Sequence, residues 1–280
     1  MRHSPAAAAL VGLSLLAACA SGGDEVDAAM RELDMVDDPG IASAMMSVAD
    51  PEEAVAFFAQ ARVANPGSMD AMRGEAASLV RANRATDGVA AWKAVVADPR
   101  ATDADRVELA GAQIRINDWT GARATLDAIP PTYETFERYR YEAMVADASE
   151  DWARADSFYE IAAGLTTTPA SVLNNWGYSK LTRGDYPAAE RLFTDALRQD
   201  PTLFTAKNNL VLARGAQRNY DLPVIPMTQE ERARLLYTLA LTAIKQSDVT
   251  LGRGLLEEAV ESSPRYFEEA ARALAALEAG

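Results

Sequence analysis

Histidine and cysteine, the side chains with the widest catalytic and metal-binding chemistry, each occur once in this chain, as His3 and Cys19. Both lie near the N-terminus, where we expect His3 to be removed with a signal peptide and Cys19 to be modified. The remaining chain then lacks the groups for a Ser-His-Asp or Cys-His mechanism and for a His/Cys zinc site. We therefore expect no catalytic residues, no metal site, no cofactor and no small-molecule substrate.

Carboxylates are the remaining groups with acid-base chemistry. The chain has 41 Asp and Glu residues and 27 Lys and Arg residues, which gives a formal net charge of −14. A pair of carboxylates can hydrolyse a glycoside, so a carbohydrate-acting enzyme is one alternative. The acidic residues are nevertheless spread over predicted helix faces, where a solvated surface is the simpler interpretation. The negative charge argues against nucleic-acid binding and favours partners with basic patches.

The N-terminus has the features of a secretion signal. Residues 6–17 are all apolar or small, and this run is too short to span a bilayer. It leads into Leu-Ala-Ala-Cys at 16–19, which resembles the bacterial lipobox, where the cysteine is lipidated and becomes the first mature residue. The alternative is an ordinary signal peptide with a cysteine beside it by chance. Ala20 in the second mature position resembles the outer-membrane sorting signal of Gram-negative lipoproteins.

The sequence thus predicts a signal peptide over 1–18, and a lipidated Cys19 with a flexible polar tether over 19–34. Acyl chains contribute about 0.8 kcal/mol per buried CH2, so several chains give a stable anchor. We expect a protein that is lipid-anchored in the outer membrane and faces the periplasm.

Residues 170–203 have a spacing of small and aromatic residues that resembles a 34-residue tetratricopeptide (TPR) repeat. A Gly-Asp turn at 184–185 separates two predicted helices. The second helix carries Ala189, Phe193 and Ala196 on one face, at i, i+4 and i+7. That face is expected to pack against Gly177 of the first helix, where the small residue permits close approach.

The pattern recurs along most of the chain. Units are predicted to start near 69, 103, 136 and 170, and an earlier second helix is predicted over 51–66. This period predicts an all-α fold, a TPR superhelical solenoid of antiparallel helix pairs over residues 35–280. It has about six repeats, one interrupted at 219–228, and a closing helix at 265–279. One such pair cannot bury its own apolar face, so the repeats must stack.

Local signals predict several helix boundaries. Thr168 is a candidate N-cap with Pro169 in the first helical position, and Thr228 with Glu231 forms a capping box. Pro223 and Pro226 exclude a regular helix where a second helix is due. The apolar strip at 222–227 either covers the gap left by that helix or presents an extended motif to a partner.

In TPR arrays the first helices of successive repeats line the binding groove, so their inward positions are the candidates for partner contact. In this register they are Arg140, Met144, Asn174, Tyr178, Asn208 and Leu212. The TPR clamp for C-terminal carboxylates uses lysine where this chain has Asn174 or Asn208, which argues against that chemistry. The two asparagines either support a neighbouring loop or contact a ligand. The four tryptophans occupy positions that pack between helices, and we expect them in the core: Trp92, Trp119, Trp152 and Trp176.

A lipobox followed by a TPR array resembles the TadD family, lipoproteins of the tight-adherence (Flp) pilus machinery. The resemblance covers nearly the whole mature chain and is greatest from Asn208-Asn209-Leu210 through 222–228 to Phe267-Glu268. It implies a non-catalytic scaffold or pilotin that helps to assemble the outer-membrane secretin and binds other pilus components. The alternatives are TPR lipoproteins of other envelope machines: a type IV pilotin, an outer-membrane protein assembly factor, or an adaptor of cell-wall hydrolases.

Overall fold

The computed structural model describes residues 39–278, and all regular secondary structure in this range is helical. Its fourteen helices are α1 (Pro39–Ser47), α2 (Pro51–Ala64), α3 (Met69–Arg81), α4 (Ala85–Ala97), α5 (Asp103–Arg115), α6 (Trp119–Asp127), α7 (Phe136–Ala148), α8 (Trp152–Gly164), α9 (Ala170–Thr182), α10 (Tyr186–Gln199), α11 (Phe204–Ala216), α12 (Gln229–Lys245), α13 (Val249–Ser262) and α14 (Glu268–Glu278). The predicted signal peptide over 1–18, the predicted lipidation site Cys19 and the predicted tether over 19–34 lie outside the described residues. No helix within 39–278 combines the length and the apolar character that crossing a membrane requires.

The helix boundaries follow the predicted period. Helices α3, α5, α7 and α9 begin at Met69, Asp103, Phe136 and Ala170, which are the four predicted starts. Within each unit these are the first helices of pairs: α4 packs against α3, α8 against α7 and α10 against α9. The described residues divide into two compact units, of which the first ends in the sequence at Ile116 and the second begins at Asn117.

The first unit contains α1 to α5. Its core is formed by α3, α4 and α5 and includes the buried ring of Trp92, which is the predicted core position. Helices α2 and α3 approach closely at Gly74, where an added Cβ would lie 2.3 Å from Cδ1 of Phe58. An ion pair with one buried partner, Asp105, joins α3 to α5: Arg73 donates from Nε to Oδ1 of Asp105 at 2.7 Å.

The second unit contains α6 to α14, and buried clusters centred on Tyr159, Phe193 and Leu256 lie along it. In α8 and α10 the small-ring-small positions of the second helix are buried, as predicted. For α10 these are Ala189, Phe193 and Ala196, each with no exposed surface. An added Cβ on Gly177 would lie 2.7 Å from Cε1 of Phe193, so the glycine is required by the close approach of α9 and α10.

A left-handed residue ends each first helix from α3 onward. Between residues 39 and 278, positive φ occurs at Asn83, Asn117, Glu150, Gly184, Arg218 and Ser247. After most of them, the next backbone N–H returns to the last turn of the helix, as from Asp185 N to Lys180 O at 2.9 Å. The hydrogen bond satisfies a backbone carbonyl in the last turn of the helix, and the left-handed residue turns the chain towards the second helix.

The interrupted repeat keeps this turn but lacks the second helix. Arg218 has φ of 58° and Asn219 N donates to Arg214 O at 3.0 Å, as in the complete repeats. The chain then runs without helix to Thr228. Leu222 and Met227 pack on the core of the last repeat, and Ile225 packs on the cluster around Phe193. The strip therefore covers apolar surface on both sides of the gap.

The helix restarts at α12 with the predicted capping box. Glu231 N donates to Oγ1 of Thr228 at 3.1 Å, and Thr228 N donates to Oε2 of Glu231 at 2.8 Å. The buried ammonium of Lys207 on α11 also donates to both oxygens of Glu231, at 3.0 and 3.1 Å. This bridge fixes the start of α12 against α11 after the interruption.

Three boundaries differ from the sequence predictions. Helix α9 is preceded directly by Pro169 in its N-cap position and has no side-chain cap, so the prediction of Thr168 as the cap was wrong. Thr168 N instead donates to Oγ1 of Thr166 at 3.1 Å, a local bond within the segment before α9. Helix α1 was not predicted, and the last helix begins at Glu268 rather than at 265.

Candidate partner-binding face

The first helices of the second unit are joined by side-chain hydrogen bonds. Asn209 on α11 donates from Nδ2 to Oδ1 of Asn174 on α9 at 3.1 Å. Thr238 on α12 donates from Oγ1 to Oδ1 of Asn208 on α11 at 2.8 Å. These bonds hold α9, α11 and α12 side by side.

The predicted site residues Asn174 and Asn208 therefore have a role within the fold. Each side-chain carbonyl accepts from the next first helix, whereas the sequence suggested loop support or ligand contact. Asn174 is buried, and Asn208 is half-buried. Their bonds set the register of neighbouring repeats.

The next helical turn carries apolar side chains. Met144, Tyr178 and Leu212 are each the ninth residue from the start of their helix, on α7, α9 and α11. Leu241 has the equivalent place on α12, because the buried Ala240 before it matches Gly177 before Tyr178. We call these four residues the apolar row.

The apolar row is accessible to solvent. Tyr178 is 53% exposed and Leu241 is 42% exposed, while Met144 and Leu212 are half-buried. An isolated exposed apolar side chain is ordinary, but a row of them at one repeat position is typical of a binding surface. We define the first-helix face as one side of α7, α9, α11 and α12. It carries the apolar row, Arg140, Tyr237 and the two predicted site residues Asn174 and Asn208.

Arg140 provides a positive charge on this face. Its guanidinium lies 4.8 Å from the ring centroid of Tyr141 and 5.9 Å from that of Phe136, and it donates from NH2 to Oη of Tyr141 at 3.2 Å. Within residues 39–278, its buried Nε has no hydrogen-bond partner. The aromatic contacts hold the guanidinium in place, and its remaining N–H groups could donate hydrogen bonds to a partner's carboxylate.

A second polar cluster anchors α9 to α8. Asp156 accepts hydrogen bonds from Nε1 of Trp176 at 2.6 Å, from Nζ of Lys180 at 2.9 Å and from NH2 of Arg183. Burial raises the pKa of Asp156, but these donors outweigh it and hold the pKa below its ordinary value. The ring of Trp176 also stacks on Tyr159, with centroids 6.3 Å apart. This cluster supports the helix that carries Tyr178.

The tryptophans are buried to different degrees. Trp92 is buried, as expected of a core residue. Trp119, Trp152 and Trp176 are half-buried, and Arg183 lies over the ring of Trp152, 5.4 Å from its centroid. The ring of Trp176 faces a polar cluster, so the core prediction holds for it only in part.

Two carboxylates of α7, the half-buried Asp147 and the buried Glu142, have side-chain partners within this unit. Asp147 on α7 accepts from Oγ of Ser179 at 2.7 Å and from Oη of Tyr159 at 2.9 Å. Glu142 lies 3.6 Å from both Arg138 and Arg154. Burial raises the pKa of Asp147 and of Glu142 above the ordinary values, despite these partners. Both groups thus hold neighbouring helices together.

Arg138 shows how the loop before α7 is fixed. Its buried guanidinium donates to the carbonyl oxygens of Pro130 at 2.7 Å, Tyr133 at 2.8 Å and Ile129 at 3.4 Å. The side chain thereby satisfies the backbone of the Pro130-Pro131 loop. Across the described part of the chain, no group of three or more His, Cys, Asp or Glu side chains is arranged to hold a metal ion.

Solved structures with this fold include several repeat proteins. A chain of the APC/C hetero-tetramer Cut9-Hcn1 is 14% identical with a TM-score of 0.62, and the match covers 90% of this chain and 52% of that chain. A tetratricopeptide repeat protein from Parabacteroides merdae is 10% identical with a TM-score of 0.59, covering 89% and 99%. The fold is that of tetratricopeptide repeats.

The human IFIT1 dimer with PPP-AAAA shares the TPR fold, with 15% identity, a TM-score of 0.58 and coverage of 88% of this chain and 63% of that chain. This chain thus spans about half the length of the Cut9-Hcn1 chain and under two thirds of IFIT1. Identities this low establish the TPR fold alone. No protein-family model and no curated protein matches the sequence.

Sequence reasoning placed three members of the apolar row but missed Leu241. The interrupted repeat puts Leu241 only 29 positions after Leu212, whereas the other members are 34 apart. The available signal was Leu239-Ala240, which occupies the place of Trp176-Gly177 in the repeat. Extending the register through that pair would have included Leu241.

Proposed function

We propose that this protein is a non-catalytic, lipid-anchored TPR scaffold that binds a protein partner on its first-helix face. The observation that carries the proposal is the apolar row, with Tyr178 exposed on α9 and Leu241 exposed on α12, the two helices that are hydrogen-bonded to α11. Exposed rings and aliphatic side chains gain most when a partner removes them from water. The asparagine bonds beside the row support this role, because they keep its members in fixed register.

The resemblance of residues 16–19 to a lipobox supports a location for the proposed scaffold at the outer membrane. Lipidation at Cys19 would hold the protein at the outer membrane, with the helical repeats in the periplasm. The tether at 19–34 separates the anchor from the repeats, so the first-helix face can reach a partner in the same membrane. Removal of the signal peptide takes Arg2 away, so a partner there would meet a mature protein of formal net charge −15 (26 basic and 41 acidic residues), which favours basic patches on the partner.

We further propose that the machine is the Flp pilus assembly system and that the partner is its secretin, with other pilus components. The support is the resemblance to TadD lipoproteins, above all in the asparagine pair at 208–209 and the strip at 222–228. In this structure the first segment joins α11 to α9 and α12, and the second covers the interrupted repeat. The resembling segments thus support the first-helix face structurally.

The test is affinity capture of the anchored protein from gently solubilised envelopes, followed by mass spectrometry. Recovery of a secretin and inner-membrane pilus proteins, lost in a Tyr178→Asp variant, is the expected result. Barrel-assembly proteins or cell-wall hydrolases captured in the same Tyr178-dependent way would assign the scaffold to another envelope machine. Capture that is indifferent to Tyr178 would contradict the first-helix face as the site.

The anchor is tested separately by Cys19→Ser. We expect this variant to be unlipidated and to leave the outer-membrane fraction, because the acyl chains supply the membrane affinity. Ala20→Ser changes the adjacent residue without removing the thiol and serves as the control. An unchanged membrane distribution of Cys19→Ser would contradict the lipid anchor.

A further inference from the structure

A cleft of about 500 Å³ opens in the second unit between the start of α12 and the segment that leads from α13 into α14. Three aromatic side chains form its walls: Tyr237 on α12, and Tyr266 and Phe267 just before α14. A volume of this size accommodates one large side chain with part of its backbone. The predicted site residues lie elsewhere, so this cleft is a separate feature.

The walls differ in how firmly they are held. The rings of Tyr237 and Phe267 lie 5.3 Å apart at an angle of 56°, and both pack against the buried core of the last repeat. Tyr266 is 80% exposed. The cleft thus has two fixed rings and one ring in solvent, and a ligand ring would gain contacts with all three.

The charges around the cleft cancel. Glu230, Arg234, Arg265 and Glu269 contribute two negative and two positive charges. Arg234 donates to Oε1 of Glu230 at 2.8 Å, and its guanidinium lies 5.9 Å from the ring centroid of Phe204. A cleft with aromatic walls and no net charge complements a neutral aromatic group better than an ion.

The cleft continues the first-helix face. Tyr237 lies one helical turn before Leu241 on α12, so both side chains are on one side of that helix. A polypeptide that covers the apolar row as far as Leu241 would reach the cleft without changing direction. We propose that the cleft binds an aromatic side chain, Trp, Tyr or Phe, of the partner polypeptide on the first-helix face. That the aromatic side chain belongs to the partner rests on the proposed function. The preference of the cleft for an aromatic side chain does not.

The specificity is tested with two blocked tripeptides, acetyl-Gly-Trp-Gly-amide and acetyl-Gly-Leu-Gly-amide, titrated by NMR into the full chain. We expect the Trp peptide to bind at least about threefold more tightly, and Tyr266→Ala to weaken it by about three- to tenfold. Ile161→Ala, at an exposed apolar residue on α8 outside both the cleft and the first-helix face, should leave its affinity unchanged. Equal affinities for the two peptides, or no effect of Tyr266→Ala, would overturn the proposal.

The partner arm measures affinity for the captured partner in Tyr266→Ala and in Tyr178→Asp, the variant that tests the first-helix face. Loss of partner affinity in Tyr266→Ala supports the cleft as part of the interface. If partner binding depends on Tyr178 but not on Tyr266, the cleft proposal fails and the proposed function stands. If the Trp peptide binds the cleft while no partner depends on Tyr178, the proposed function and the partner assignment fail, but the aromatic specificity remains.

Discussion

Asn209 on α11 donates a hydrogen bond to the side-chain carbonyl of Asn174 on α9, 3.1 Å away, and both side chains are buried. The bond joins the first helices of two neighbouring repeats directly, rather than through their second helices. Polar pairs of this kind add specificity to a surface of small and aliphatic residues, because a shift of either helix would leave both amides unpaired.

We expect Asn174→Ala to lower the free energy of unfolding by about 1–3 kcal/mol, because it leaves the buried amide of Asn209 without its partner. Asn175→Ala, at the neighbouring asparagine, is the matched control. Urea denaturation of both variants and of Asn209→Ala provides the measurement. A double variant that costs no more than one single variant would confirm the coupling, whereas simple additivity would contradict it.

Gly177 gives a second test of the packing. Gly177→Ala places a methyl group 2.7 Å from Cε1 of Phe193, which is fully buried and cannot move aside. We expect a loss of about 1–3 kcal/mol in stability from this overpacking. Gly164→Ala on α8 is the control, because nothing lies within 4 Å of its added Cβ and alanine is the better helix former. Thermal melts should therefore move in opposite directions for the two variants.

The sequence was sufficient for the positions of the pairs because the repeat imposes the same packing on every unit. Ala155, Ala189 and Ala196 are buried since each lies at a crossing of two helices. The left-handed turn residues were less predictable. Gly184 is a typical choice at positive φ, whereas Glu150 and Arg218 are not, and the repeat geometry overrides their preference.

The candidate site was less predictable than the fold. Periodicity identified the sides of α9 and α11 that carry Asn174 and Asn208, but not that the two amides would bond to neighbouring helices. Such bonds depend on the offset between helices, which no single helix encodes. The cleft beside Tyr237 depends on the segment before α14, whose conformation has no repeat pattern to predict it.

The ion pair of Arg73 and Asp105 predicts a pH dependence of stability. Burial raises the pKa of Asp105, but hydrogen bonds from Arg73 and Thr102 outweigh it and keep the pKa below the ordinary 3.8. A carboxyl whose pKa is lower in the folded chain stabilises the fold above its ordinary pKa. This stabilisation is lost as the pH falls through the lowered value.

Asp105→Asn should therefore reduce the free energy of unfolding at pH 7 by about 3 kcal/mol. This is the lower end of the range for breaking a buried ion pair, and we use it because Arg73 is partly exposed. It should also flatten the dependence of the unfolding free energy on pH below about 4. Asp103→Asn, which breaks a more exposed pair with Arg106, is expected to cost less than about 1 kcal/mol. Urea titrations from pH 3 to 7 provide the comparison. If the free energy of unfolding of Asp105→Asn falls as steeply at acid pH as that of the unsubstituted chain, this account is contradicted.

The apolar row makes the prediction closest to function. Tyr178→Asp and Leu241→Asp each place a charge where a partner would remove water, and each should weaken partner binding by roughly tenfold or more. Both positions are exposed, so stability should change by less than about 0.5 kcal/mol. Ile161→Asp is the matched control, since Ile161 is 39% exposed but lies on the second helix α8. Affinity is measured with the captured partner by surface plasmon resonance, alongside a thermal melt of each variant. If Ile161→Asp weakens binding as much as the row variants do, the effect is one of charge in general, and the first-helix face is not the partner's site.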